Sequence, residues 1–131
     1  MGKPITTNSG GICFAFPNVC LTQVGPAQVP IPYPSIGQLS DAAGTASDVK
    51  AGGSDVVIKS STISSTTGDS AGLTGVKSGQ PVSGNVTFKT SSNSVFANGQ
   101  GVVRMFDQTE QNSGNAVGIV LGGFPQVLVG D

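Results

Sequence analysis

Histidine and tryptophan are both missing from this 131-residue chain, and Tyr33 is its only tyrosine. Without histidine it lacks the commonest general base and the commonest zinc ligand. Without tryptophan it has little from which to build a stacking platform for sugars or bases. Charge is scarce as well: 10% of residues are charged and the formal net charge is −1. That balance leaves no basic footprint for nucleic acid. No apolar run approaches the ~20 residues that cross a bilayer, so stable membrane insertion is not expected. Residues 1–11 lack the apolar centre of a signal peptide. The expectation is a chain made in the cytoplasm and exported, if at all, whole and by another route.

Small and turn-forming residues fill the space instead. Gly, Ser, Thr and Asn account for 54 of the 131 residues, and there are 8 prolines. Such a composition approaches the disordered range, but disordered chains are usually charge-rich, and a mean hydropathy of +0.12 implies buried surface. The length suits one domain spanning residues 1–131.

Glycine interrupts nearly every candidate helix, and the sixteen valines favour strands. Only Ile36 to Ala43 is weakly helical, enough for a single turn. Strands are expected at Ile12–Phe16, Asp55–Lys59, Asn85–Lys89, Val117–Leu121 and Gln126–Val129, each bounded by Gly, Pro or Asn. Asn98-Gly99 between Ser94–Ala97 and Gly101–Phe106 reads as a hairpin turn. The class is all-β with small sheets and no fixed repeat. Gly25 to Pro34 holds four prolines. Its fixed φ angles and missing donors predict a stiff polyproline-like arm, either a surface connector or a strut positioning Tyr33.

Gly68-Asp69-Ser70-Ala71-Gly72 matches the G-x-S-x-G nucleophile pattern. A hydrolase needs a base for Ser70, and only Lys59, Lys77 or Lys89 could be formally paired with it. In so Gly- and Ser-rich a chain the match reads as a turn. Cys13 and Cys20 could be buried thiols, a disulfide or part of a metal site, though two cysteines leave zinc two ligands short. Asp41, Asp48, Asp55 and Asp69 are dispersed in turn-rich sequence. No constellation demands catalysis, and the chain is not expected to be an enzyme or to need a cofactor.

Several pieces taken in order carry a resemblance. Phe14-Ala15-Phe16-Pro17-Asn18-Val19-Cys20 is followed by Val29-Pro30-Ile31-Pro32-Tyr33-Pro34-Ser35, then by Gly68 to Gly72 and by Ser78-Gly79. Over Ile12 to Asn115 the chain resembles the PAAR-like family marked by a Pro-Ile-Pro-Tyr signature. The resemblance implies a compact, tapering, pseudo-threefold β cone. It implies a spike tip seated on a trimeric VgrG-type β-helical spike of a type VI secretion machine, sharpening it and carrying effectors. It implies a monomer in isolation and one copy per trimer, with an effector either bound non-covalently or following Asp131 as a further domain. Cys20, Pro30, Ile31, Pro32, Tyr33 and Pro34 are the positions it marks as structural or partner-docking. PAAR tips usually hold a zinc with three histidines and one cysteine. With no histidine that site does not carry over, and no metal is expected. A small carbohydrate-binding β module, suggested by the abundant Ser, Thr and Asn, is the alternative from another class.

Overall fold

The computed structural model describes residues 2–130, with fourteen strands and one 3-10 turn at Leu39–Asp41. The strands are β1 (Lys3–Ile5), β2 (Ile12–Val24), β3 (Ala27–Gln38), β4 (Ala42–Ala43), β5 (Ala46–Ala51), β6 (Ser54–Val56), β7 (Thr62–Ile63), β8 (Thr74–Gly75), β9 (Val86–Phe88), β10 (Phe96–Ala97), β11 (Gln100–Gly101), β12 (Gln108–Gln111), β13 (Ala116–Leu121) and β14 (Phe124–Val129). The class is all-β, as the valine and glycine pattern predicts. No helix among the described residues is long and apolar enough to cross a membrane.

The largest sheet runs β3-β2-β13-β12-β9-β7-β4, with β8 against the far half of β2. Alternation sorts its faces. Cys13 and Ala15 of β2 point into the core, and Phe16 points out. The Phe16–Pro17 peptide is cis, and the β2–β3 register shifts between Ala15 and Asn18.

The proline arm is not free. It is the edge strand β3, paired with β2 from Ala27 to Gln38. A strand tolerates these prolines because Pro30, Pro32 and Pro34 lie two apart, so their missing donors all face the unpaired edge. Ile36, in the same phase, shows the direction: its N–H leaves the β2 side and donates to Thr67 O at 2.9 Å. The Asn98-Gly99 hairpin forms with both turn residues at positive φ, as a type I′ turn requires. Its regular ladder is shorter than predicted, Phe96–Ala97 with Gln100–Gly101; beyond it Val102 N still donates to Val95 O at 3.1 Å while Val102 also bridges Ile58 on its other side.

That bridge is part of a triangle. Three two-stranded ribbons, β1–β14, β5–β6 and β10–β11, each lead into a short extended segment. Thr7 bridges Val56, Ile58 bridges Val102, and Arg104 bridges Ile5. At the centre the amides form a closed ring. Val57 N donates to Thr6 O at 3.0 Å, Val103 N to Val57 O at 2.9 Å, and Thr6 N to Val103 O at 3.0 Å. An outer ring repeats the pattern, from Asn8 N to Asp55 O, Lys59 N to Gly101 O, and Met105 N to Pro4 O. The arrangement is pseudo-threefold although Pro4–Asn8, Asp55–Lys59 and Gly101–Met105 share little except β-branched centres, which favour extended backbone.

Alternation around this triangle divides two cores. Val57 and Val103 pack with Cys13, Leu39, Ile63, Val86, Phe88 and Val120 beneath the large sheet. Ile5, Val56, Ile58 and Val102 pack instead with Ala46, Ala51, Ala97 and Val129 from the outer strands of the ribbons. Each large apolar side chain so buried favours folding by roughly 1.5–3 kcal/mol relative to exposure. The alanines let the ribbons approach closely around the axis.

Candidate functional site

Asn18 lies in β2 opposite Tyr33, where the register shifts, and its side chain is fully buried. Its Nδ2 donates to Asp69 Oδ2 at 2.8 Å. Its Oδ1 accepts from Asn112 Nδ2 at 3.0 Å and from Asn115 Nδ2 at 2.6 Å. Each partner then grips a turn. Asp69 Oδ1 accepts Ser83 N at 3.1 Å, Asn112 Oδ1 accepts Gly84 N at 2.9 Å, and Asn115 Oδ1 accepts Lys77 N and Ser78 N at 2.8 and 3.0 Å. Asn115 Nδ2 also reaches Val19 O at 2.9 Å. No buried side-chain nitrogen or oxygen among the described residues lacks a partner. Buried bonds of this kind are stronger than in water, and any orphaned member is costly. Four side chains thus pin four turns to the middle of one strand.

The motif pieces meet here. Asn18 comes from the first, Asp69 from the G-x-S-x-G stretch and Ser78 from the last. The second packs alongside: Tyr33 faces Asn18, Ile31 faces Cys20, and the Tyr33 hydroxyl is 2.8 Å from Thr22 Oγ1. Gly68 adopts φ 108°, and a Cβ there would stand 2.6 Å from Pro34 O. Only glycine fits this approach of turn to strand.

At the triangle's other face each ribbon exposes an apolar residue on its outer strand: Val49 on β5, Phe96 on β10, and Val127 and Leu128 on β14. The family model of the Toxin PAAR-like domain matches residues 11–118. The chain belongs to the PAAR-like family. That span includes the whole Asn18 lattice and two of the three triangle segments; β1 and β14, the third ribbon, lie outside it. No curated protein and no solved structure gives a significant match.

PAAR-like domains are structural spike-tip modules, not enzymes. The G-x-S-x-G stretch agrees with that role. Asp69 is turned inward to Asn18 and Ser83, and Gly72 N donates to Asp69 O at 2.9 Å, closing a turn. Ser70 is exposed and bonded to no lysine among the described residues.

Of the six positions marked by the resemblance, the PAAR-like fold gathers Cys20, Ile31, Tyr33 and Pro34 beside the lattice. Pro30 and Pro32 stay on the exposed edge. Zinc does not fit the surroundings of Cys20. Its Sγ approaches Asn18 O at 3.6 Å and Asn112 Nδ2 at 3.8 Å, and the side chains around it, Asn18, Asn112 and Asp69, are already satisfied by one another. Among the described residues no three Cys, Asp or Glu cluster around a common point. Asn112 and Asn115 stand out in the sequence only as a polar turn, Asn-Ser-Gly-Asn. Nothing in their spacing announces that both amides point at Asn18.

Both thiols are free and buried. Burial, followed by the charge of Asp69, raises the Cys20 thiol, and burial pushes Cys13 from its ordinary 9.0 up to about 12. An acid raised on folding contributes its stability below the unfolded value and loses it as pH rises toward the folded one. The fold should therefore weaken between about pH 9 and pH 12. In denaturant titrations at pH 8 and pH 10.5 the parent should lose more stability than Cys13→Ala. Equal losses would rule out a contribution from Cys13.

Proposed function

We propose that this chain caps a trimeric VgrG-type β-helical spike of a type VI secretion machine, with its three ribbons toward the spike. The observation that carries the reading is the triangle. A single chain seated on a threefold axis must offer three comparable faces, and Thr6, Val57 and Val103 lie at the centres of three such segments. The ribbon end adds apolar contact at Val49, Val127 and Leu128, and a spike ending in unpaired strands needs its edges covered. Low charge helps, because few ions need desolvation on docking. The Asn18 lattice stiffens the sheet-bearing half, where a metal-free tip must hold its turns against load. In this role the protein travels out at the end of the spike and can carry an effector with it.

Co-expression with a cognate spike trimer should yield a complex of one copy per three spike chains. Val49→Asp with Leu128→Asp places two charges in the contact and should weaken the complex by about tenfold or more without lowering the melting temperature. Parent protein that fails to bind the trimer would overturn the capping role. A double variant that binds like the parent would overturn only the ribbon-end assignment.

A further inference from the structure

A concavity of about 520 Å³ opens between the β10–β11 ribbon, the 89–93 loop and Lys59. Its floor is fixed. Arg104 is buried there and donates through Nε and Nη2 to Asp107 at 3.0 and 2.8 Å, so its charge is neutralised. Thr90 Oγ1 donates to Asp107 Oδ1 at 3.0 Å and Ser92 Oγ to Gly130 O at 3.1 Å, so these hydroxyls are engaged too.

The rim differs. Lys59 and Lys89 are both exposed on it, and neither belongs to an ion pair among the described residues, where the pairs are Lys50–Asp55 and Arg104–Asp107. Ser91, Asn93 and Gln100 line it with side chains that make no hydrogen bond among the described residues. Phe96 shows 60% of its surface there. Two of the five lysines of a net-acidic chain thus face one depression, and Asp107, bonded to Arg104 at its floor, is already paired.

We propose that this concavity binds a small anionic sugar, a sugar phosphate or a sugar acid. The two ammonium groups take the anion by charge-assisted hydrogen bonds. Ser91, Asn93 and Gln100 offer donors and acceptors to ring hydroxyls, and Phe96 offers an apolar face to the sugar's C–H side. The volume lies in the ordinary range for small-ligand sites, roughly 300–1,000 Å³. The site is separate from the Asn18 lattice; it shares the β10–β11 ribbon with the end proposed to meet the spike, and it is open in the isolated chain.

The test titrates the isolated full chain, by calorimetry and by amide chemical shifts, with glucose 6-phosphate, glucuronate, glucose and inorganic phosphate. Glucose 6-phosphate or glucuronate should bind with shifts confined to residues 89–93, 96–101 and 59, and whichever binds tighter identifies the anion. Lys59→Gln with Lys89→Gln should weaken that binding by about tenfold or more, with the melting temperature unchanged. Phe96→Ala should weaken the sugar ligand while leaving any inorganic phosphate binding as it was. Glucose binding as tightly as its phosphate would overturn the role of charge, and inorganic phosphate binding as tightly as the sugar phosphate would overturn the role of the sugar. No saturable binding of any of the four would overturn the site altogether.

Discussion

Replacing Asp107 by alanine should lower the unfolding free energy by about 3–5 kcal/mol, a large share of the ~5–15 kcal/mol that holds a typical domain. Asp107 is almost fully buried and accepts four hydrogen bonds: from Arg104 N at 2.7 Å, Arg104 Nε at 3.0 Å, Arg104 Nη2 at 2.8 Å and Thr90 Oγ1 at 3.0 Å. Arg104 is itself a corner of the triangle, bridging to Ile5, and its Nη1 donates to Gly130 O at 3.1 Å. Truncating Asp107 takes the carboxylate away from a guanidinium that cannot give up its proton and is only 10% exposed. The double change Arg104→Met with Asp107→Ala removes both charges and should cost less than Asp107→Ala alone. Denaturant unfolding measures both. A single variant within about 1 kcal/mol of the parent, or a double variant less stable than the single, would show that the pair does not clamp the triangle.

Strands with their own apolar alternation and flanking turns are legible in the sequence: Ile12–Phe16, Val86–Phe88 and Ala116–Leu121 all lie where local pattern puts them. Strands whose pattern is set by distant partners are not. β12, Gln108 to Gln111, has no apolar residue, because its inward side chains Thr109 and Gln111 bond to one another at 2.7 Å and Gln111 reaches Ser35 O at 2.9 Å. β3 reads as a polyproline arm because φ restriction is local, whereas the pairing that makes it a strand depends on the phase of the prolines against β2.

The triangle is hidden from the sequence for the same reason. Pro4–Asn8, Asp55–Lys59 and Gly101–Met105 are equivalent in space and not in sequence, so a search for repeats finds nothing. Threefold symmetry enters only through family resemblance. In the lattice, the motif order brings Asn18 and Asp69 into view. Asn112 and Asn115 reach the same point from a turn more than ninety residues away from Asn18. Asn in a turn is explained well enough by local geometry, and its side-chain target is not encoded locally.

The second large effect is expected at Asn18. Asn18→Ala should cost about 3–4 kcal/mol, since a buried donor or acceptor left without its partner costs roughly 1–3 kcal/mol and several are orphaned at once. Asp69 Oδ2 loses its donor, Asn112 Nδ2 keeps only the long contact to Cys20 Sγ at 3.8 Å, and Asn115 Nδ2 keeps only Val19 O. A change that merely opened a cavity would predict some loss too, so a second variant separates the causes. Asn18→Asp keeps the shape and both acceptor bonds but replaces the donor to Asp69 by a carboxylate oxygen. Two carboxylates at that separation cannot both stay ionised at low cost, so the folded state holds a shared proton that the unfolded state releases. Folding then favours the protonated pair, and its stability should rise as pH falls from 7 toward 4. At pH 7 Asn18→Asp should be about as unstable as Asn18→Ala. Near pH 4.5 it should recover most of the difference from the parent, because a protonated carboxyl can again donate to Asp69. Unfolding at the two pH values decides the matter. A loss in Asn18→Asp that does not change with pH would mean that packing around Asn18, and not the direction of its hydrogen bonds, holds the four turns together.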